Sequence, residues 1–201
     1  MKYIIQQSIQ KGIDYSAYRQ LITNLLKQGK YTGTTENSDY FQFSELNNSR
    51  MNRLDKTINI LDSYQNQLNN LSKKITFLII SEGWCGDAAQ ITPVLNKLAK
   101  CNENIEFKIV IRDENSELMD LFLTNGNRSI PMLLIIDTQT NEFITKWGPR
   151  PKVANKMVLD YKTKHGTLDA DFKIQLQNWY NSDKGVEIQQ EVMLLLQPFL
   201  A

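Results

Sequence analysis

The spacing of apolar residues changes at about residue 73, and this change constrains the fold more than any other feature of the chain. Between residues 54 and 71 apolar side chains recur every three or four positions, the period of an α-helix with one buried face. Further along they come in short runs, Ile75–Ile80 and Met132–Ile136, bounded by polar residues. Such runs predict buried β-strands. The sequence therefore predicts helices first and a mixed α/β unit after them.

Residues 1–72 are predicted to form a helical extension that packs on the rest of the protein. Asp14 can cap a helix whose apolar stripe covers residues 15–26. Residues 30–43 show no period and predict a loop, and a long helical pattern begins at Ser44. Because two amphipathic helices cannot bury their apolar faces alone, we expect them to lie on the domain that follows.

Residues 73–201 are predicted to form that α/β domain together with C-terminal helices. Between residues 73 and 165 the patterns follow the order strand, helix, strand, helix, hairpin, helix. A strand–helix–strand unit of this spacing implies a right-handed crossover, so the first two strands should be parallel. The short turn Asp137–Asn141 implies an antiparallel hairpin. The predicted sheet is therefore mixed, with helices flanking it.

Cys85 is placed between the first predicted strand and the helix that starts at about Ala88. The unpaired N–H groups and the dipole at a helix start favour an anion, and cysteines there can have lowered pKa values. We therefore expect a reactive thiol with a pKa below the usual value of about 8.5. The alternative is an inert thiol in a site that has lost its chemistry, and the sequence leaves both open.

Four features in this order resemble the thioredoxin family. Trp84–Gly86 resembles the opening of the family's active-site motif, and Pro93 falls where the family keeps a kink proline in the next helix. Arg128–Pro131 resembles the family's cis-proline loop, and Gly148 matches a glycine that lets a peptide backbone approach. The resemblance implies an α/β, thioredoxin-like fold with a mixed central sheet flanked by helices, here with an N-terminal helical extension.

The resemblance also implies a catalytic thiol and a substrate groove beside it. Cys85 would be the catalytic residue, and the groove would consist of Trp84, Gly86, Asp87, Ile130, Pro131 and Gly148. Two opposed effects are expected of Asp87. Its charge would disfavour a nearby thiolate, yet a carboxylate is itself favoured at a helix N-terminus, and the sequence does not decide between them.

Two positions depart from the family. The chain most resembles a bacterial branch with Trp-Cys-Gly-Asp-Cys, but Ala88 stands where the second, resolving cysteine belongs. Cys101 cannot replace it, because sixteen helical residues span about 24 Å and a disulfide needs Cα atoms within about 7 Å. Ile79 stands where the family has a buried aspartate that helps to move the proton. Dithiol reduction is thus not expected of this chain acting alone.

Composition excludes several partner classes. A net charge of +1 gives no reason to expect nucleic acid or an anionic membrane. The start of the chain lacks the apolar run of a signal peptide, and the longest apolar runs are too short to span a bilayer. Two cysteines form no disulfide framework. We therefore expect a cytoplasmic protein. One histidine, His165, and two separated cysteines make no metal site, so neither metal nor resident cofactor is expected.

Two hypotheses of function follow. In the first, Cys85 takes a small thiol from an S-thiolated protein or other protein disulfide, and an external low-molecular-weight thiol such as glutathione acts as co-substrate and regenerates it. In the second, the chain is a non-catalytic binding or adaptor module that uses the groove and residues 1–72. A glutathione-linked iron–sulfur cluster, as in single-thiol glutaredoxins with Cys-Gly-Phe-Ser, fits less well because Cys85–Ala88 differs at two positions.

Overall fold

A computed structural model describes residues 1–200 of the protein, and the helices and strands alternate in its second half as the sequence predicts. The α-helices are α1 (Lys2–Lys11), α2 (Tyr15–Lys27), α3 (Tyr40–Thr57), α4 (Asp62–Leu68), α5 (Gly86–Ala99), α6 (Ser116–Asp120), α7 (Lys152–His165), α8 (Ala170–Asp183) and α9 (Val186–Leu196). The strands are β1 (Ile75–Ser81), β2 (Ile105–Ile111), β3 (Met132–Asp137) and β4 (Phe143–Trp147), and a short 3₁₀ helix covers Gln197–Phe199.

The four strands form one mixed sheet in the order β2-β1-β3-β4. Strand β1 is parallel to β2 and antiparallel to β3, and β3 pairs with β4 as a hairpin. All seven residues of β1 are buried, because the strand lies inside the sheet and both faces of the sheet are covered. The predicted mixed sheet and its parallel crossover are confirmed.

The alternation of side chains along β1 divides the core into two layers. Phe77 and Ile79 belong to one apolar cluster, while Leu78 and Ile80 belong to the other, since successive strand residues point to opposite faces. The first cluster includes apolar residues of α2 and α3, and the second includes Ile5 of α1. The N-terminal helices therefore complete both layers of the core.

Three details of the N-terminal segment differ from the sequence analysis. Helix α1 was not foreseen, and α3 begins at Tyr40, inside the segment predicted as a loop. The long helix predicted from Ser44 is broken at Ile58, whose extended backbone ends α3. Ile58 and Ile60 are both buried, whereas Leu61, the next apolar residue at helical spacing, is exposed, so burial here does not follow the helical period. The division of the chain at residue 72 stays a prediction.

Within residues 1–200 no helix has both the length and the apolar character needed to cross a bilayer.

Candidate functional site

Cys85 connects the end of β1 to the start of α5 and is the N-cap residue of that helix. Its Sγ accepts a hydrogen bond from the N–H of Ala88 at 3.5 Å and donates one to the carbonyl oxygen of Ile130 at 3.4 Å. The Ile130–Pro131 peptide bond is cis. Only 9% of the Cys85 surface is exposed, so the thiol is enclosed between the helix start and the proline loop.

Burial raises the pKa of the Cys85 thiol to about 12, and the carboxylate of Asp87 acts in the same direction. The N–H of Ala88 and the guanidinium of Arg150 oppose this rise without reversing it. The expectation of a lowered pKa is therefore wrong. The free energy needed to remove a thiolate from water is larger than the stabilisation that the helix start gives it.

The carboxylate of Asp87 is buried and held by two partners from the C-terminal part of the chain. Its Oδ2 lies 2.6 Å from Nη2 of Arg150, and its Oδ1 accepts a hydrogen bond from the Tyr180 hydroxyl at 2.9 Å. Of the two effects expected of Asp87, the disfavouring of a thiolate is thus the one that acts on Cys85. Sequence reasoning missed Arg150 and Tyr180, because nothing local marks residues so distant in the chain as partners of this carboxylate.

No second thiol lies beside Cys85. Ala88 is buried at the resolving position, and both cysteines are free. Helix α5 runs without a break from Gly86 to Ala99, with Pro93 inside it, so Cys101 lies beyond its far end. There its Sγ donates a hydrogen bond to the carbonyl oxygen of Lys97 at 3.3 Å. An intramolecular bridge is excluded in this conformation.

The predicted groove residues around the proline loop lie together. At Gly148, whose φ is 123°, a Cβ would stand 2.5 Å from the carbonyl oxygen of Pro131. Any residue but glycine would collide there, so the close approach of β4's end to the loop depends on Gly148. Ile130 and Pro131 are buried, whereas Gly86 is partly exposed. That these residues bind a substrate stays a prediction.

The indole ring of Trp84 is covered by residues of the chain itself. Tyr40, at the start of α3, stacks on it with ring centroids 4.1 Å apart, and the guanidinium of Arg112 lies 4.7 Å from its centroid. The indole N–H is buried and has no hydrogen-bond partner within residues 1–200. Trp84 can therefore form a wall of the predicted groove only with the part of its ring that Tyr40 and Arg112 leave uncovered.

A buried carboxylate three residues before the thiol escaped the sequence analysis. Ile79 is apolar and fully buried, but Glu82, just past the end of β1, is fully buried too. Glu82 accepts hydrogen bonds from the Thr32 hydroxyl and from the N–H of Asp113. Burial raises the pKa of Glu82 to about 7. Through Thr32 this carboxylate holds the segment before α3 against the ends of β1 and β2. The only sequence signal for this buried carboxylate is an acidic residue directly after a buried strand.

No group of three His, Cys, Asp or Glu side chains that could hold a metal ion occurs in the described part of the chain. His165 lies exposed at the end of α7, where its ring stacks on Tyr161.

Comparison with known proteins gives the class. The Thioredoxin_9 family model, described as thioredoxin, matches residues 33–166, which is more than half of the chain. The protein therefore belongs to the thioredoxin family, as the sequence motifs and the mixed sheet indicate. The match begins at residue 33, inside the segment predicted to be an extension.

Two solved structures share the overall fold. One is a protein of unknown function from Pseudomonas aeruginosa, with a TM-score of 0.61 and 15% identity over 95% of each chain. The other is an HIV epitope scaffold, with a TM-score of 0.61 and 15% identity over 96% of this chain and 97% of that one. At such identity the likeness shows the fold alone, and it extends over nearly the whole chain. No curated protein matches the sequence.

Glu82→Gln should remove a pH dependence of stability. Glu82 has a pKa of about 7 when folded and 4.5 ordinarily, so between these values the folded state binds more protons. The free energy of unfolding of the wild type should therefore fall as pH rises through this range, by about 3 kcal/mol at most. Urea denaturation at pH 5 and pH 8 measures it. Exposed Glu103→Gln is the control, and an equal fall in the Glu82 variant would refute the assignment.

Asp87→Asn should make Cys85 easier to ionise. The substitution removes one charge that raises the thiol's pKa and leaves Arg150, which lowers it. We expect iodoacetamide to alkylate Cys85 about two- to fivefold faster at pH 8. Peptide mass spectrometry gives the rate at this cysteine, with exposed Asp171→Asn as the matched control. A rate equal to or below that of the wild type would contradict the charge effect.

Proposed function

We propose that the protein carries out thiol–disulfide exchange through Cys85 alone, and that an external thiol completes each cycle. The thiolate of Cys85 attacks the small-thiol sulfur of a mixed disulfide on a protein. The old S–S bond breaks, a new one joins Cys85 to the small thiol, and the protein thiol leaves as a thiolate. A second small thiol then attacks this adduct, releasing Cys85 and a small-molecule disulfide. Glutathione or a similar low-molecular-weight thiol is the co-substrate, and no step needs sulfur at residue 88.

The observation that carries the proposal is the 3.4 Å contact between the Cys85 sulfur and the carbonyl oxygen of Ile130. Within residues 1–200 no backbone N–H occupies this carbonyl, because the β3 ladder begins only at Met132. A substrate in extended conformation could pair with the backbone here, and its disulfide would then lie within reach of the thiol. Partial exposure of Gly86 and Gly148 leaves an approach to this point.

The raised pKa slows this chemistry but does not abolish it. A rise from 9 to about 12 lowers the thiolate fraction at neutral pH about a thousandfold. The intrinsic nucleophilicity of a thiolate rises with pKa, with a Brønsted coefficient of about 0.4–0.5, which restores about 16- to 32-fold. The net penalty is therefore about 30- to 60-fold relative to an unperturbed thiol. We expect a slow exchange that accelerates with pH.

The burial of Cys85 and the covering of Trp84 favour a second candidate function, a binding module that catalyses no reaction. Cys85 is 9% exposed, and Tyr40 and Arg112 cover Trp84. In such a module the thiol would serve as a hydrogen-bond donor to Ile130, and Cys85→Ala would leave partner binding intact.

A single-turnover experiment separates the two candidates. The protein is mixed with an S-glutathionylated peptide without free thiol, and intact mass reports the glutathione adduct on Cys85. We expect an adduct with the wild type that forms faster as pH rises from 7 to 9, by up to about tenfold per unit. Cys85→Ala should form none, and the control Cys101→Ala should match the wild type.

The variant Ala88→Cys extends the same test to the lost resolving position. With a second thiol three residues after the first, the variant should reduce insulin, which the wild type should not. If the wild type forms no more adduct than Cys85→Ala at any pH, the exchange proposal fails and the binding module stands.

A further inference from the structure

The approach to Cys85 is lined by hydrogen-bond donors from outside the sheet. At Gly86, the first residue of α5, a Cβ would stand 3.7 Å from Nη1 of Arg50 and 3.4 Å from Nε2 of Gln177. Arg50 comes from α3 and Gln177 from α8, so two helices place a guanidinium and an amide next to the residue that follows the thiol.

The guanidinium of Arg50 has no acidic partner among residues 1–200. Its Nη1 donates to the amide oxygen of Asn47 at 2.8 Å, and no ion pair includes it. Asp87 is near enough to act on Arg50 but is already bound by Arg150 and Tyr180. Arg50 is therefore a partly buried cation without a counterion, an arrangement that costs free energy until an anion binds.

The neighbouring charge adds to this imbalance. Arg53, one helical turn after Arg50, also makes no ion pair and donates instead to the amide oxygen of Asn181 at 2.7 Å. Partial burial and the like charge of Arg53 both lower the pKa of Arg50. Of Arg50, Arg53 and Arg150, only Arg150 forms an ion pair within residues 1–200, with Asp87, so no paired carboxylate neutralises Arg50 or Arg53.

The amide of Gln177 is held in place by a second amide. Nε2 of Gln90, on α5, donates to Oε1 of Gln177 at 2.9 Å, which turns Nε2 of Gln177 toward Gly86. A donor amide fixed beside an uncompensated guanidinium can bind a carboxylate through both oxygens.

We infer that Arg50 and Gln177 bind a carboxylate of the small thiol that Cys85 takes up, so that the exchange favours disulfides of acidic thiols over neutral or cationic ones. This inference rests on the proposed function and names the class of its co-substrate. In the step concerned, the Cys85 thiolate attacks a symmetric disulfide R–S–S–R, one R–S group becomes bonded to Cys85, and the other leaves as a thiolate. A carboxylate on R lies within the field of Arg50 while the bond forms.

A charge series of small disulfides tests the inference with the intact protein. Dithiodipropionate is dianionic, hydroxyethyl disulfide is neutral and cystamine is cationic. The rate of adduct formation on Cys85 at pH 8 is measured by intact mass, and each rate is divided by that of a neutral model thiol with the same disulfide. We expect the normalised rate to be about five- to tenfold higher for the anionic than for the neutral disulfide, and the advantage should shrink in 0.5 M salt.

Variants of the cation then assign the effect to its residue. Arg50→Gln should bring the normalised rate of the anionic disulfide down to that of the neutral disulfide, whereas Arg50→Lys should keep part of the preference. Lys56→Gln, an exposed cation on the same helix, is the matched control and should behave as the wild type.

The outcomes keep this inference apart from the proposed function. If the wild type reacts with all three disulfides at equal normalised rates, or if Arg50→Gln keeps the preference, the carboxylate site is refuted and the exchange stands. If no disulfide reacts at Cys85, the proposed function itself fails.

Discussion

The rest of the site depends on the packing of one sulfur atom. The Sγ of Cys85 is enclosed between the start of α5 and the carbonyl oxygen of Ile130. The helix start alone would favour a thiolate. Here the loss of water around Cys85 is the larger effect, and the protein holds a neutral thiol that donates a hydrogen bond. Gly148 makes this enclosure possible, because only glycine lets the end of β4 approach the proline loop so closely. Cys85 is therefore a protonated thiol at neutral pH, and its thiolate fraction increases as the pH is raised.

The N-terminal helices belong to the site as much as to the core. Helix α3 supplies Tyr40, which covers Trp84, and the loop before α3 supplies Thr32, which donates a hydrogen bond to Glu82. Helix α3 also supplies Arg50, the cation beside Gly86. The family motifs lie on α5 and in the loops that adjoin β1, β3 and β4. The contacts that cover Trp84 and hold Glu82, and the positive charge of Arg50, come from residues that precede β1. The segment before residue 73 therefore contributes to the surroundings of Cys85 as well as to the core.

The order of strands and helices could be predicted because short apolar runs and helical stripes are local signals. The resemblance then placed Cys85 near Pro131. The pKa of the thiol could not be predicted, since it depends on how completely other segments exclude water. Arg150 and Tyr180 were missed for a related reason: their contacts with Asp87 follow from packing, not from local sequence. The end of α3 before Ile58 could not be predicted, because apolar residues recur at helical spacing in the sequence on both sides of Ile58.

The ionisation of Cys85 tests the account most directly. In protein labelled with ¹³C at the cysteine Cβ, the Cβ chemical shift of Cys85 reports thiol and thiolate separately as pH is raised. The structure predicts no transition up to about pH 10, because burial holds the pKa near 12. A transition centred at or below the ordinary value of about 8.5 would contradict it, since the helix start would then outweigh burial.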